Sequence, residues 1–215
     1  ELASHFEKAQ ANPRDCKIIE KDMAPVKDTM TTDVNLYSLP IPLHHEKDSG
    51  PYITAGVLIA KNPETGEKNV SIHRLQVTDK NHLGILILPR HLMHFQRIAE
   101  KKNQPLDIAI AIGLDPIVML SSQALTPLGQ DEFRIASALY GEPMELVKCE
   151  TVGLEVPAHA EMVLEGRILP NVRKPEGPFG EYPKYYGPQE EREYIELTCL
   201  TSRKNPIFQT IVPAT

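Results

Sequence analysis

Apolar positions along this chain recur with two periods, and the changes between them mark out its elements. Runs rich in Ile, Val and Leu predict strands over Tyr52–Ala60, Asn69–Val77, Leu83–Leu88 and Leu106–Ile112. Asn62-Pro63-Glu64-Thr65-Gly66 joins the first two as a hairpin turn. Between Leu88 and Leu106 the period changes. Leu92, Phe95, Ile98 and Ala99 predict a helix over His91–Lys102, with Lys101 and Lys102 suited to its C-terminal dipole. A second helix is predicted over Asp131–Tyr140, burying Phe133, Ala136, Leu139 and Tyr140 and stopped by Gly141. Pro116–Ser121 suits a short helical turn. Glu145–Thr151, Ala160–Gly166, Tyr194–Thr201 and Ile207–Val212 read as further strands. Upstream, Glu1–Gln10 reads as the end of a helix and Asn12–Thr32 as a connector with few large apolar groups. Leu36–Pro42 is expected to be extended, because each proline turns its predecessor away from helix. The pattern predicts a β-rich α+β domain over 36–215, preceded over 1–35 by a helical end and connector from another region. It lacks the strand–helix alternation of a doubly wound sheet.

Composition narrows the picture. The chain has 215 residues, 41% of them hydrophobic, enough for one substantial core. A net charge of −6 with dispersed Lys and Arg argues against a nucleic-acid partner. No apolar run is long enough to span a bilayer, and the polar stretch Glu1–Arg14 does not resemble a secretory leader. Cys16, Cys149 and Cys199 are widely spaced and odd in number, which suits a reducing, cytoplasmic setting and no thiolate zinc site. Because it begins with Glu1, the chain is expected to be a piece of a longer protein.

The candidate chemistry centres on Lys-Pro-Glu-Gly-Pro-Phe-Gly-Glu, residues Lys174–Glu181. Two glycines and two prolines predict a loop that presents Glu176 and Glu181. By spacing alone, a solvated surface turn is the simpler reading. In the strand Asn69–Val77, alternation places Asn69, Ser71, His73 and Leu75 on one face and Val70, Ile72, Arg74 and Gln76 on the other. A strand edge in solvent explains the mixed polarity; a polar cavity with Arg74 aimed at an anion is the functional reading. His91 and His94 at a helix start, with His82 nearby, supply no third ligand at zinc-type spacing. Glu132 suits the first turn of its helix through the dipole; with Asn and His it would also suit a hard divalent ion. No phosphate-binding glycine loop is present. Ser121-Ser122-Gln123 offers only a weak phosphate signal.

Taken in order, several segments resemble the UbiD family of reversible decarboxylases. They are Gly50–Gly56, Asn69–Arg74, Pro89-Arg90-His91, Gly113–Pro116, Glu145–Cys149, Val156–Glu161 and Pro175–Glu181. The resemblance runs from about Leu36 to the C-terminus. It implies a split β-barrel of the FMN-binding type that holds prenylated FMN. It implies a divalent metal, Mn²⁺ or Mg²⁺, on Asn69, His91 and Glu132, with a monovalent cation (K⁺ or Na⁺) beside it. It places catalysis on Arg74, Glu176 and Glu181, and cofactor contacts on Thr54, Ile72, His73, Arg74, Arg90, Ser122 and Gln123. Family proteins are longer and form homo-oligomers, with a later domain that closes over the site.

On that resemblance the substrate is an aromatic, heteroaromatic or α,β-unsaturated carboxylic acid. Arg74 orients its carboxylate and pairs with Glu176. Glu181 delivers the proton, from a poorly solvated pocket that raises its pKa. An FMN-binding split-barrel oxidoreductase, and a truncated cofactor-binding or assembly domain inactive on its own, stand as alternatives. Two geometric expectations follow. A strand end or bulge must separate Asn69 from Arg74 if both are to face one site, because their odd spacing otherwise sends them to opposite faces. Asn69, His91 and Glu132 must converge from separate elements.

Overall fold

The computed structural model describes residues 2–213. Its elements, in chain order, begin with helix α1 (Leu2–Ala11) and strands β1 (Lys17–Ile18), β2 (Thr29–Thr31), β3 (Tyr52–Ile53), β4 (Val57–Lys61), β5 (Lys68–Ile72), β6 (Leu75–Val77) and β7 (His82–Ile85). Then come α2 (His91–Lys101), β8 (Leu106–Ile112), α3 (Pro116–Ser121) and α4 (Glu132–Tyr140). The second half holds β9 (Glu145–Lys148), β10 (Glu155–Pro157), β11 (Met162–Glu176), β12 (Phe179–Gly180), β13 (Tyr186–Gly187) and β14 (Glu190–Ser202).

The main sheet is antiparallel in the order β3-β6-β7-β14-β11-β8-β4-β5, with β2 added along β14. It curls into a half-barrel. Its strands read as near-continuous apolar runs because both faces are covered. Leu58, Ile108, Ile110 and Leu164 face an inner core closed by Leu92 and Phe95 of α2. Val57, Ile59, Ala109, Ala111 and Val163 face a second core with Phe133 and Ala136 of α4 and Val147 and Val156 of the small sheet β1-β9-β10. Within Asn12–Thr32, β1 and β2 join the two sheets and Val26 is fully buried. The buried Lys27 ammonium pairs with Glu150 at 3.3 Å and Glu165 at 3.4 Å.

Several expected elements differ. The run Tyr52–Ala60 breaks at Thr54–Gly56, where a Cβ on Gly56 would lie 2.8 Å from the Ile110 side chain. Asn69–Val77 breaks at His73-Arg74, because β5 pairs with β4 while β6 pairs with β3 and β7. The expected strand end between Asn69 and Arg74 is therefore present. The strand expected over Leu83–Leu88 ends at Ile85. Leu36–Ser38 is a 3₁₀ turn capped by the Asn35 side chain rather than extended. Ile207–Val212 forms no strand; Ile211 bonds through its main chain to the Thr54 hydroxyl. In α4, Tyr140 is exposed, opposite to the periodicity reading, and Ile135, which that reading did not name, is buried.

The Lys174–Glu181 stretch is also not all loop. Lys174, Pro175 and Glu176 belong to β11 and pair with β14. Pairing with β8 on the other side has ended at Ile168, so the missing N–H of Pro175 deprives no ladder. The turn begins at Gly177, and β12 and β13 make a short hairpin behind it.

Candidate active site

The break between β5 and β6 shapes the site. On the β5 face, Asn69 Nδ2 donates to Ser71 Oγ at 3.0 Å, and Ser71 Oγ lies 2.9 Å from His73 Nε2. His73 Nδ1 lies 3.0 Å from the Leu86 carbonyl oxygen. A carbonyl only accepts, so Nδ1 carries the proton. Burial lowers the His73 pKa and keeps the ring neutral, so Nε2 accepts from Ser71. Ser71 in turn accepts from Asn69. This relay holds the Asn69 amide nitrogen toward Ser71, and among the described residues Asn69 Oδ1 accepts no hydrogen bond.

Glu132 opens α4, where the Asp131 side chain caps the helix by accepting from Phe133 N at 2.9 Å. Its own carboxylate turns back to the sheet. Oε2 accepts from Val70 N at 2.9 Å and Oε1 from the Thr126 hydroxyl at 3.0 Å. Burial pushes its pKa up to about 7, and hydrogen bonding to its own main chain, to Val70 N and to Thr126 offsets only part of that shift. His91 begins α2, whose N-cap Arg90 provides no side-chain cap. The first N–H groups of that helix are therefore not capped by a side chain, a setting that favours anions.

A cavity of about 980 Å³ joins these parts. Asn69, His91 and Glu132 line it, as do Ile72, His73, Arg74, Arg90, Ser122, Gln123 and Glu181. Leu86, Leu88 and Pro89 add an apolar wall. The volume falls at the top of the range typical of small-molecule sites, about 300–1,000 Å³. Thr54 is not part of the lining; its hydroxyl donates to Ile211 O at 2.8 Å. His82 and His94 do not line the cavity either.

Arg74 gathers both glutamates. Nε and Nη2 donate to the two oxygens of Glu176 at 3.0 and 2.8 Å, and Nη1 donates to Glu181 Oε1. The guanidinium lies over the Phe179 ring, 5.3 Å from its centroid. Burial opposes its charge, but the Glu176 contacts, Tyr52 and Glu181 outweigh burial and raise its pKa. Glu176 is 1% exposed and has a third donor, Tyr52 OH, at 3.1 Å. Glu181 departs from expectation. Its side chain is 31% exposed rather than poorly solvated, because it sits past the turn on the cavity rim.

Sequence reasoning missed the residues that support this network. Gln76 Oε1 accepts from Gly177 N at 3.0 Å and lies 3.2 Å from Tyr52 OH. The Asp48 carboxylate accepts from Gly180 N and His45 N at 2.8 and 2.9 Å. Gln76 had a signal, since alternation placed it two positions from Arg74 on one face. Asp48, in the segment Asp48-Ser49-Gly50-Pro51, carries only the composition of a turn.

The fold is a curled antiparallel half-barrel, and its cavity is lined by a guanidinium that also clamps two carboxylates. The chain belongs to the UbiD family: the family model described as 3-octaprenyl-4-hydroxybenzoate carboxy-lyase Rift-related domain matches residues 17–215. The UbiD-class enzyme HmfF from Pelotomaculum thermopropionicum, solved in complex with FMN, superposes with a TM-score of 0.96 at 56% identity over 98% of this chain and 48% of that one. Vanillic acid decarboxylase from Sedimentibacter hydroxybenzoicus, in its closed form, gives 0.94 at 33% identity over 100% and 48%. Anhydromevalonate phosphate decarboxylase from Methanothermobacter thermautotrophicus is 43% identical over 180 residues, 84% of this chain and 42% of the relative. The chain thus spans about half the length of these relatives. Among the described residues, no helix is long and apolar enough to cross a membrane.

Proposed function

We propose that this chain is the cofactor-binding part of a decarboxylase that uses prenylated FMN and a divalent metal on an aromatic, heteroaromatic or α,β-unsaturated carboxylic acid. The observation that carries the reading is the shared grip of Arg74 on Glu176 and Glu181, with Arg74 and Glu181 lining the cavity. The same cavity is lined by an amide, an imidazole and a carboxylate, those of Asn69, His91 and Glu132. An FMN-binding oxidoreductase needs neither set.

The residues fit both groups. Asn69 Oδ1 has no hydrogen-bond donor among the described residues, and Glu132 is a buried carboxylate held by neutral donors, the Val70 N–H and the Thr126 hydroxyl. A Mn²⁺ or Mg²⁺ ion held by Asn69, His91 and Glu132 supplies the missing positive charge and suits hard oxygen donors. A K⁺ or Na⁺ ion belongs beside it. Ile72, His73, Arg90, Ser122 and Gln123 line the space for the flavin, and the α2 N-terminus with Arg90 suits its phosphate. HmfF has been solved with FMN and, in an evolved dimeric form, with prFMN.

When bound, prenylated FMN supplies the electron sink that a carbanion left by departing CO₂ requires. The protein side chains do the rest. Arg74 binds the substrate carboxylate through the guanidinium edge it now shares with Glu181. Glu176, buried and held by three donors, keeps Arg74 charged and fixed in place. Glu181 in its protonated form gives its proton to the carbon that lost CO₂. We place the whole enzyme in the cytoplasm as a homo-oligomer.

The test is to co-produce the full-length protein with a flavin prenyltransferase and record the flavin spectrum beside CO₂ release from one acid of each class. Release dependent on the modified flavin and on added Mn²⁺ supports the reading. Nicotinamide-driven flavin reduction with no CO₂ from any acid would sink it in favour of an oxidoreductase.

A further inference from the structure

The two glutamates are held by different parts of the protein. Glu176 ends a fifteen-residue strand and is fixed by the sheet. Glu181 lies beyond the Gly177-Pro178 turn, where the sheet no longer reaches it. Its position depends on where the β12–β13 hairpin docks. That hairpin rests on the turn His45–Gly50. Asp48, whose side chain is 0% exposed, accepts from Gly180 N at 2.8 Å through Oδ1 and from His45 N at 2.9 Å through Oδ2. Ser49 N donates to Pro178 O at 3.0 Å. Gly180 packs against the His45 ring so closely that a Cβ there would lie 2.5 Å from Nδ1.

We infer that Asp48 is a positioning residue: by fixing the main-chain N–H of Gly180, the residue before Glu181, it holds that carboxyl at Arg74. A carboxylate is suited to this because it accepts two main-chain N–H groups at once, one from its own turn and one from the hairpin. Asparagine can keep one of these bonds; alanine keeps neither. A shift of about 1 Å in an acid placed on a reacting carbon costs roughly a hundredfold in rate. Loss of the clamp should therefore lower kcat and spare the cavity, which Asp48 does not line.

The clamp rests on the proposed role of Glu181, so its test has an arm that needs no activity. In the cofactor-loaded enzyme, D48N and D48A are compared with the parent for kcat, KM, flavin occupancy and amide deuterium uptake. We expect kcat to fall roughly tenfold in D48N and roughly a hundredfold in D48A, with KM and flavin occupancy within about twofold. Uptake should quicken over Gly177–Gly187 and stay unchanged in β11 and β14. Unaltered uptake over the hairpin, or loss of flavin and melting temperature together with kcat, would overturn the clamp. D48N carries the test if D48A does not fold. Absence of turnover in the parent would end the functional reading, while the uptake arm would still decide the clamp.

Discussion

Arg74 and Glu176 meet side-on: two guanidinium nitrogens donate to the two oxygens of one carboxylate at 3.0 and 2.8 Å. The third nitrogen is left for Glu181. A planar fork with five donors makes such a shared grip possible. Arg74→Lys keeps the charge and loses the fork. We expect flavin binding to survive and kcat to drop roughly a hundredfold or more, read as CO₂ release per bound flavin. Turnover within twofold of the parent would show that the two-carboxylate grip is unimportant.

Glu181→Gln removes an acid while preserving shape. If Glu181 supplies the proton, the variant should retain flavin and metal yet lose roughly 10²–10⁴-fold in decarboxylation. The measurement is single-turnover CO₂ release at matched flavin occupancy. Loss of flavin from this variant would recast Glu181 as a binding residue.

Tyr52 reaches Glu176 from the core, with its hydroxyl also near Gln76 and Ser49. Burial, ahead of the nearby charges, raises its pKa, so it stays a neutral donor. Tyr52→Phe leaves Glu176 with both Arg74 bonds and Gln76 with the Gly177 N–H. The expected loss is about 1 kcal/mol of stability, a downward shift in the chemical denaturation midpoint with little change in slope. A loss several times larger would mean that the phenol holds the loop as well as the carboxylate.

Much of this was legible because local pattern and tertiary role agree. The alternation Asn69-Ser71-His73 survives as a bonded row along β5 and the residue just past its end, and the odd offset to Arg74 required the break that the structure has. The helix His91–Lys101 was legible from Leu92, Phe95 and Ala99, which fill the inner core. Pro175 misled because two prolines and two glycines within Lys174–Glu181 point to a loop, whereas β11 has only one ladder partner there and accepts the proline. Tyr140 misled because the 3.6 period continues to the helix end while the core it faces does not. Asp48 was beyond sequence reasoning: its partner Gly180 lies far along the chain, and only the docked hairpin joins them.

Glu132 makes the stability of the metal-free chain depend on pH. Burial first of all raises its pKa from 4.5 to about 7 in the folded protein. Between those values the native chain binds more protons than the unfolded one, so stability falls as pH rises. The contribution is fully present below about pH 4.5, is lost through about pH 7, and is flat above it. A tenfold change in a proton-binding constant is worth about 1.4 kcal/mol, so the loss is on the order of 3 kcal/mol. Glu132→Gln carries no titrating proton and should show a melting temperature less dependent on pH across that window. Adding Mn²⁺ to the parent should restore stability more at about pH 8 than at about pH 5, because the ion must displace the proton; the variant should not respond. Superimposable pH–stability curves for parent and variant, measured with chelator present, would show that Glu132 is already ionised in the apoprotein.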